Sequence, residues 1–319
     1  MYIGSVRFFK HLILLTIITI ITILLLLLWS SYCKISRLEY QLTLTEQLMA
    51  VATRNRVSYK VLGDKKRQTE QNNKVDLRSI FHPNTPEYQK LYPELYAPAR
   101  AVPEKTESKT VYLTFDDGPS ACTKQILDIL ELEEVKATFF VIGTTSEENL
   151  KIMREVARRG HTIGMHSYSH SYKYMYASVE NFLSDMHNIS KLIRQTTGQE
   201  PTIFRFPGGS ISAVNMRIHE EIMAEMLRRG FVPYDWTISS GDAEARNITA
   251  DSIAQRVISE VSKSKGPAFV LMHDSCTKHV AIQALGRIIR ELKQRGYSFK
   301  AITSDIKPIL FSPRYKKGE

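Results

Sequence analysis

Four short stretches of this chain collect the side chains that can do chemistry. Asp116 and Asp117 are adjacent carboxylates in "VYLTFDDGPS", and His166 and His170 stand four apart in "MHSYSH". Arg205 lies in "FRFPGG", Asp242 in "SSGDA", and His273 with Asp274 in "LMHDSC". Two like charges side by side repel, and Asp, Gly and Pro are all poor strand residues. A strand that ends in this way breaks local rules, as functional sites do. Two imidazoles four apart on a helical turn share one face and can grip one ion. Alone, such a pair is weak evidence of a metal. With one carboxylate it becomes the two-His-one-carboxylate set that leaves positions open for water and substrate. Two adjacent acids then have separate tasks: one holds the metal, and the other is free to take a proton.

The elements that must position these groups are readable from about residue 106 onward. Strand-like runs occur at "VYLTF" (111–115), "ATFFVI" (137–142), "HTIGM" (161–165), "TIFRF" (202–206), "FVPYDWTI" (231–238), "AFVLM" (268–272) and "SFKAI" (298–302). Amphipathic helical stretches lie between them, several closing with Gly after a basic turn. Strands alternating with helices predict a parallel sheet, open or closed into a barrel. Every reactive residue named above falls at or just beyond a strand C-terminus. In parallel α/β folds that rim carries the active site.

These motifs, in this order, resemble the polysaccharide deacetylase family (the NodB-homology domain, carbohydrate esterase family four) over about residues 108–305. The combination of "TFDDGPS", "HSYSH", "RFPGG" and "LMHD" is highly specific. The resemblance implies an α/β fold, a distorted (β/α)7 barrel, and metal-dependent removal of acetyl groups from sugars. It implies one divalent ion, zinc by default, with Co2+, Ni2+ or Mn2+ as alternatives. Carried over by position, Asp117, His166 and His170 would be the metal ligands and Asp116 the general base, oriented by Arg205. His273 would be the general acid, oriented by Asp242. The Gly208 N–H would help bind the oxyanion, and Trp236 and Leu271 would line the slot for the acetyl methyl. Two departures stand out: Ala243 replaces a frequent Trp after Asp242, and Gly208 replaces a common Tyr. The "RFPGGS" form with an N-terminal anchor resembles peptidoglycan deacetylases of Gram-positive bacteria. That implies N-acetylglucosamine or N-acetylmuramic acid of wall glycan as substrate. Chitin oligomers, poly-N-acetylglucosamine and O-acetylated xylan are alternatives, and a catalytically silent glycan-binding wall protein is an alternative of another class. No covalent intermediate is needed, so Ser167, Ser169 and Cys276 are not read as nucleophiles.

The rest of the chain concerns location. Leu12–Trp29 is an 18-residue apolar run without charge. As a helix it would cover about 27 Å, enough for a bilayer core. It is longer than the apolar stretch of a cleaved signal peptide and lacks a clear small-x-small site. Basic residues flank it almost equally, Arg7 and Lys10 before, Lys34 and Arg37 after. The wall-enzyme resemblance breaks that tie and puts the C-terminal part outside the cytoplasm. The expected organisation is a cytoplasmic segment (1–10), a single-pass anchor in the cell membrane (11–32), a juxtamembrane helix and Pro-rich stalk (33–105), the deacetylase domain (106–306) and a basic tail (307–319). Tyr88, Tyr92 and Tyr96 are placed to clip the stalk onto the globular part. The formal net charge of +10 is read as a solubility feature, since no nucleic-acid motif accompanies it. Cys33, Cys122 and Cys276 show no paired spacing and decide nothing. The catalytic domain is expected to be monomeric. His161 is assigned to packing, and His187, His219 and His279 to the solvated surface.

Overall fold

The structure, a computed structural model, describes residues 86–98, 107–244, 248–275 and 279–311. The proposed anchor, the juxtamembrane helix, Cys33, Cys276 and the "PRYKKGE" tail lie outside the described residues. Among the described residues no helix is long and apolar enough to cross a membrane.

Eight strands form one parallel sheet: β1 (Thr110–Asp116), β2 (Thr138–Ile142), β3 (Thr162–Ser167), β4 (Ile203–Phe204), β5 (Val232–Pro233), β6 (Ile238–Ser239), β7 (Ala268–His273) and β8 (Ser298–Phe299). Their order is β5-β4-β3-β2-β1-β7-β6, with β8 paired to the start of β1. Seven helices connect them: α1 (Ala121–Leu132), α2 (Glu147–Arg158), α3 (Tyr172–Met175), α4 (Val179–Thr197), α5 (His219–Arg228), α6 (Ala250–Lys263) and α7 (His279–Gln294). The element order is that of a curled α/β sheet. The expected fifth strand is divided. Val232–Pro233 pairs with β4, and Ile238–Ser239 pairs with β7 at the opposite end of the sheet. Pro233 removes one ladder donor, so the run cannot continue as a single strand. The residues between, Tyr234 to Thr237, therefore link the two sheet ends.

Alternation along the strands decides what faces inward. Tyr112, Phe140, Ile203, Val232, Tyr234 and Phe269 form the buried cluster on the inner face. On β1 the inner positions continue as Thr114 and Asp116, and on β7 as Leu271 and His273, with Asp116 directly beside His273. The same alternation on β3 places His166 above Gly164. A hydrophobic floor thus rises directly into polar groups at the C-terminal rim. The helices cover the outer face, burying for instance Phe182, Leu183, Met186, Ile189 and Ile193 of α4.

A segment at the start of the described chain packs on this body. Residues 86–98, within the expected stalk, lie against α5. Arg229 is fully buried, ion-pairs with Glu225 at 2.7 Å, and donates to the carbonyls of Tyr88, Leu91, Tyr92 and Leu95. Ala97 N–H returns a bond to the Arg229 carbonyl at 2.9 Å. Tyr96 accepts from Arg228 at 2.8 Å, as a clip should. His187, assigned to the solvated surface, instead stacks on Tyr92 at 4.6 Å and sits 3.3 Å from Glu94. Its aromatic face gains more from the tyrosine than from water. His161 is buried as expected, accepting from Ala137 N–H at 3.2 Å. Burial first, then Lys136 and Arg159, hold its pKa down at about 4. Cys122, in the first turn of α1, is disulfide-bonded, which its spacing does not reveal.

Candidate active site

β1 brings in the two acids and the backbone then separates them. Asp116 is the last residue of the strand, and Asp117 follows with φ 75°, a left-handed conformation uncommon outside glycine. The two carboxylates reach different partners. Asp116 Oδ1 accepts from Arg205 Nη1 at 2.9 Å, whereas Asp117 Oδ1 lies 3.1 Å from His170 Nε2 and 3.5 Å from His166 Nε2. Each negative charge thus has its own cationic or imidazole neighbour, and their mutual repulsion is offset.

The expected helical turn between the histidines is not what joins them. His166 belongs to β3, and His170 follows in a loop at φ 48°. The bend is held from behind by Asp185, a buried acid on α4. It accepts from Ser167 Oγ at 2.6 Å, Tyr168 N–H at 2.7 Å and Ser169 N–H at 2.9 Å. Ser167 Oγ in turn accepts from His170 N–H at 2.8 Å. The rings end 5.5 Å apart. His166 Nδ1 faces the Arg205 carbonyl at 2.9 Å, so it carries the proton and leaves Nε2 as the free lone pair.

Asp117, His166 and His170 each offer one ligand atom, and these atoms lie within 4.8 Å of one another. Asp117 Oδ1 is buried without an aligned hydrogen bond. A buried acceptor facing two imidazole nitrogens needs a further partner. A divalent cation with an incomplete protein shell fits it. Burial pushes the Asp117 carboxyl up, but His170, His166 and His273 outweigh burial and hold it at about 2. The carboxylate is therefore ionised at neutral pH, the form a metal ligand must take.

Arg205 is fully buried and bonded on all sides. Besides Asp116 it donates to Thr114 Oγ1 at 2.7 Å, to the Tyr234 carbonyl at 2.9 Å and to the Asp235 carbonyl at 2.9 Å. Its guanidinium covers the Phe140 ring at 4.3 Å. A planar group held at four points can aim one carboxylate with little freedom. Across the sheet, Asp242 grips His273 twice. Oδ1 takes the ring Nδ1 at 2.9 Å, and Oδ2 takes the backbone N–H at 2.8 Å. Burial alone would lower the His273 pKa, but the Asp242 hydrogen bond and charge, helped by Asp116 and Asp117, raise it to about 9. At neutral pH this imidazole is a positioned proton donor.

Asp274 lies under this rim. Its N–H donates to the Asp116 carbonyl at 3.1 Å, and its Oδ2 accepts from Thr123 at 2.7 Å. Its carbonyl accepts from Ser120, the N-cap of α1. Burial, with the charges of Asp117 and Asp116, pushes its pKa up to about 7 against the Thr123 bond. A Cβ on Gly118 would run into its carboxylate, which explains the glycine after the two acids.

The remaining expected residues are close by. Gly208 is exposed at φ 80°, in the turn after Arg205. Leu271 is buried one inner position below His273. Trp236 is half-buried, with Phe311 edge-on at 4.7 Å. Ala243 is exposed. Three further residues escaped the sequence reading. Asp185 did leave a signal, an acid between Leu183 and Met186 on the buried face of a helix. Asp235 is 1% exposed. It accepts from Ser210 N–H at 2.8 Å, from the Ser210 hydroxyl and from Phe311 N–H at 2.6 Å, tying the turn after Arg205 to residue 311. Thr114 was hidden, because only the inward alternation of β1 distinguishes it from an ordinary core threonine.

A curled parallel α/β sheet with an Asp-Arg pair, an Asp-His pair and a candidate metal triad on its C-terminal rim defines a hydrolase-like site. Comparison with known proteins narrows the class. The polysaccharide deacetylase family profile matches residues 103–227. The chain is 35% identical over 207 residues to the putative polysaccharide deacetylase YheN of Bacillus subtilis, covering 63% of this chain and 70% of that one. It is 34% identical over 197 residues to a peptidoglycan-N-acetylglucosamine deacetylase of Bacillus cereus, covering 61% and 70%. The catalytic domain of a peptidoglycan N-acetylglucosamine deacetylase from Eubacterium rectale superposes with a TM-score of 0.63 at 35% identity, covering 67% of this chain and 97% of that one. The chain belongs to the polysaccharide deacetylase family.

Proposed function

We propose that this protein is a metal-dependent deacetylase that hydrolyses N-acetyl groups of cell-wall glycan, on N-acetylglucosamine or N-acetylmuramic residues. The observation that carries the reading is the convergence of three features on one rim. These are the Asp117/His166/His170 triad, Asp116 clamped by Arg205, and His273 clamped by Asp242. Names of the relatives in Bacillus and Eubacterium favour peptidoglycan over the other acetylated glycans.

Asp117, His166 and His170 would hold a divalent ion, zinc first among the candidates, which supplies Lewis acidity and a lowered pKa for water. Asp116, fixed by Arg205, takes a proton from the attacking water. The water oxygen adds to the acetamide carbonyl carbon, and negative charge develops on the carbonyl oxygen. The Gly208 N–H donates to that oxygen, a contact type worth about 10²–10³ in rate. His273 delivers its proton to the sugar nitrogen as the C–N bond breaks, releasing acetate and a free amine. Asp242 keeps the ring aimed and charged. Trp236 and Leu271 bound the space for the methyl group. The N-terminal apolar run would anchor the enzyme in the cell membrane, with this domain facing the wall.

The test is acetate release by the purified full-length protein from peptidoglycan and from chitin oligomers, with bound metal measured in parallel. Release should disappear with chelator and return with zinc. Asp116→Asn should lower it by about 10²–10⁴. Undiminished release from a His166→Ala/His170→Ala variant would refute the reading. Binding of wall glycan without any acetate release would favour a silent wall protein instead.

A further inference from the structure

The loop that carries His170 leads straight into a tyrosine that none of the expected roles uses. Tyr172 begins α3, two residues beyond His170. One side of its ring meets the His170 imidazole at 5.6 Å, and the ring stacks on Tyr176 at 6.1 Å and 29°. Tyr176 is itself pinned, its hydroxyl donating to the Pro207 carbonyl at 2.8 Å. The Tyr172 ring is therefore clamped between a metal-ligand candidate and the turn that carries Gly208. Yet the residue remains 40% exposed. Two aromatic neighbours fix the direction of its ring, and so the direction of its hydroxyl.

That hydroxyl stands beside position 208. A Cβ at position 208 would lie 3.7 Å from the Tyr172 hydroxyl and 3.7 Å from Ser212 Oγ. Position 208 has no side chain, and the glycine itself is exposed. The space a side chain would fill there is thus a notch with two hydroxyls within reach. Ser212 Oγ is buried and has no hydrogen-bond partner. Unsatisfied hydroxyl capacity beside an exposed, side-chain-free backbone suits a polar ligand rather than an apolar one. A substrate whose carbonyl oxygen accepts from the Gly208 N–H brings its acetamide next to this notch.

We infer that the Tyr172 hydroxyl is a substrate-contacting group that hydrogen-bonds the acetamido sugar in the notch over Gly208. The inference rests on the proposed deacetylase reading and adds a specificity-determining residue to it. The role is recognition of a sugar hydroxyl or acetamide, the polar groups of an N-acetylated hexosamine. A clamped tyrosine loses little entropy on binding, so its contact should show in affinity.

The experiment compares the full-length protein with Tyr172→Phe, which keeps the ring and its two aromatic contacts. On N-acetylglucosamine oligomers the variant should show KM raised by about five- to tenfold, the loss of one neutral hydrogen bond. The second arm uses calorimetric titration of the N-acetylglucosamine tetramer into Asp116→Asn and into Asp116→Asn/Tyr172→Phe. The double variant should bind about five- to tenfold more weakly. KM and affinity within twofold of the parents would overturn the inference, and so would a loss confined to kcat. Should the parent release no acetate from any glycan, the deacetylase reading fails by itself. The titration arm then still decides whether Tyr172 touches the sugar.

Discussion

Asp242→Asn isolates the electrostatics of the proposed acid. The substitution keeps the size of the side chain and one oxygen acceptor, and removes the charge together with one of the two acceptors that hold His273. In the parent, burial lowers the His273 pKa, while the Asp242 bond and charge, with Asp116 and Asp117, bring it to about 9 from an ordinary 6.5. Without the Asp242 charge the largest raising influences are gone, only Asp116 and Asp117 still oppose burial, and the ring returns toward its ordinary value. The proton donor should then be depleted above about pH 6.5 instead of about pH 9. At pH 8 most of the parent imidazole is charged, against about 3% or less in the variant, so the rate should fall roughly thirtyfold or more. The alkaline limb of kcat/KM should move down by more than about two pH units. Proton NMR titration of the His273 ring in the metal-free protein reads the same shift without turnover. The stability consequence has a definite sign. A pKa raised by folding stabilises fully below the unfolded value of 6.5, and that contribution is lost as pH rises through 9. It is worth up to about 3 kcal/mol for this largely buried ring. Urea unfolding should therefore separate parent and variant at pH 6 and bring them together above about pH 10. An alkaline limb and ring titration within about half a unit of the parent would refute the reasoning.

Asp185→Ala should leave three loop donors behind the histidines without their acceptor. Chelator competition should show zinc affinity reduced by about 10–100-fold, and an unchanged affinity would remove Asp185 from the support of the metal site. Gly118→Ala should drive a methyl group into the Asp274 carboxylate and destabilise the fold by about 1–3 kcal/mol in urea. A loss under about 0.5 kcal/mol would mean that Asp274 moves aside freely.

The site was legible where chemistry and chain direction coincide. Asp116, Arg205 and His273 end strand-like runs, and in a parallel sheet that fact alone gathers them on one rim. The helical reading of His166 and His170 failed because spacing of four fits a strand leading into a left-handed turn as well as a helix. Side-chain period cannot distinguish these when the turn is enforced by a residue elsewhere. Asp185 supplies that force from 15 or more positions downstream, and no local pattern reports it. The divided fifth strand was hidden for a related reason. "FVPYDWTI" is mostly apolar, yet Pro233 and the carbonyls of Tyr234 and Asp235, which accept from Arg205, break its ladder in the middle. Contacts that are distant in sequence and polar at both ends are the ones an unaided reading loses.

The docking of residues 86–98 on α5 also has a mechanical meaning. Arg229 sits on the load path between whatever lies upstream and the strand that ends in Asp116. A pull applied before residue 86 must shear the bonds of Arg229 to four carbonyls, and uncover a buried guanidinium, before tension reaches β1. The segment thus acts as a strain relief for the rim. Recombinant forms intended to keep the site's geometry should accordingly begin no later than Pro86.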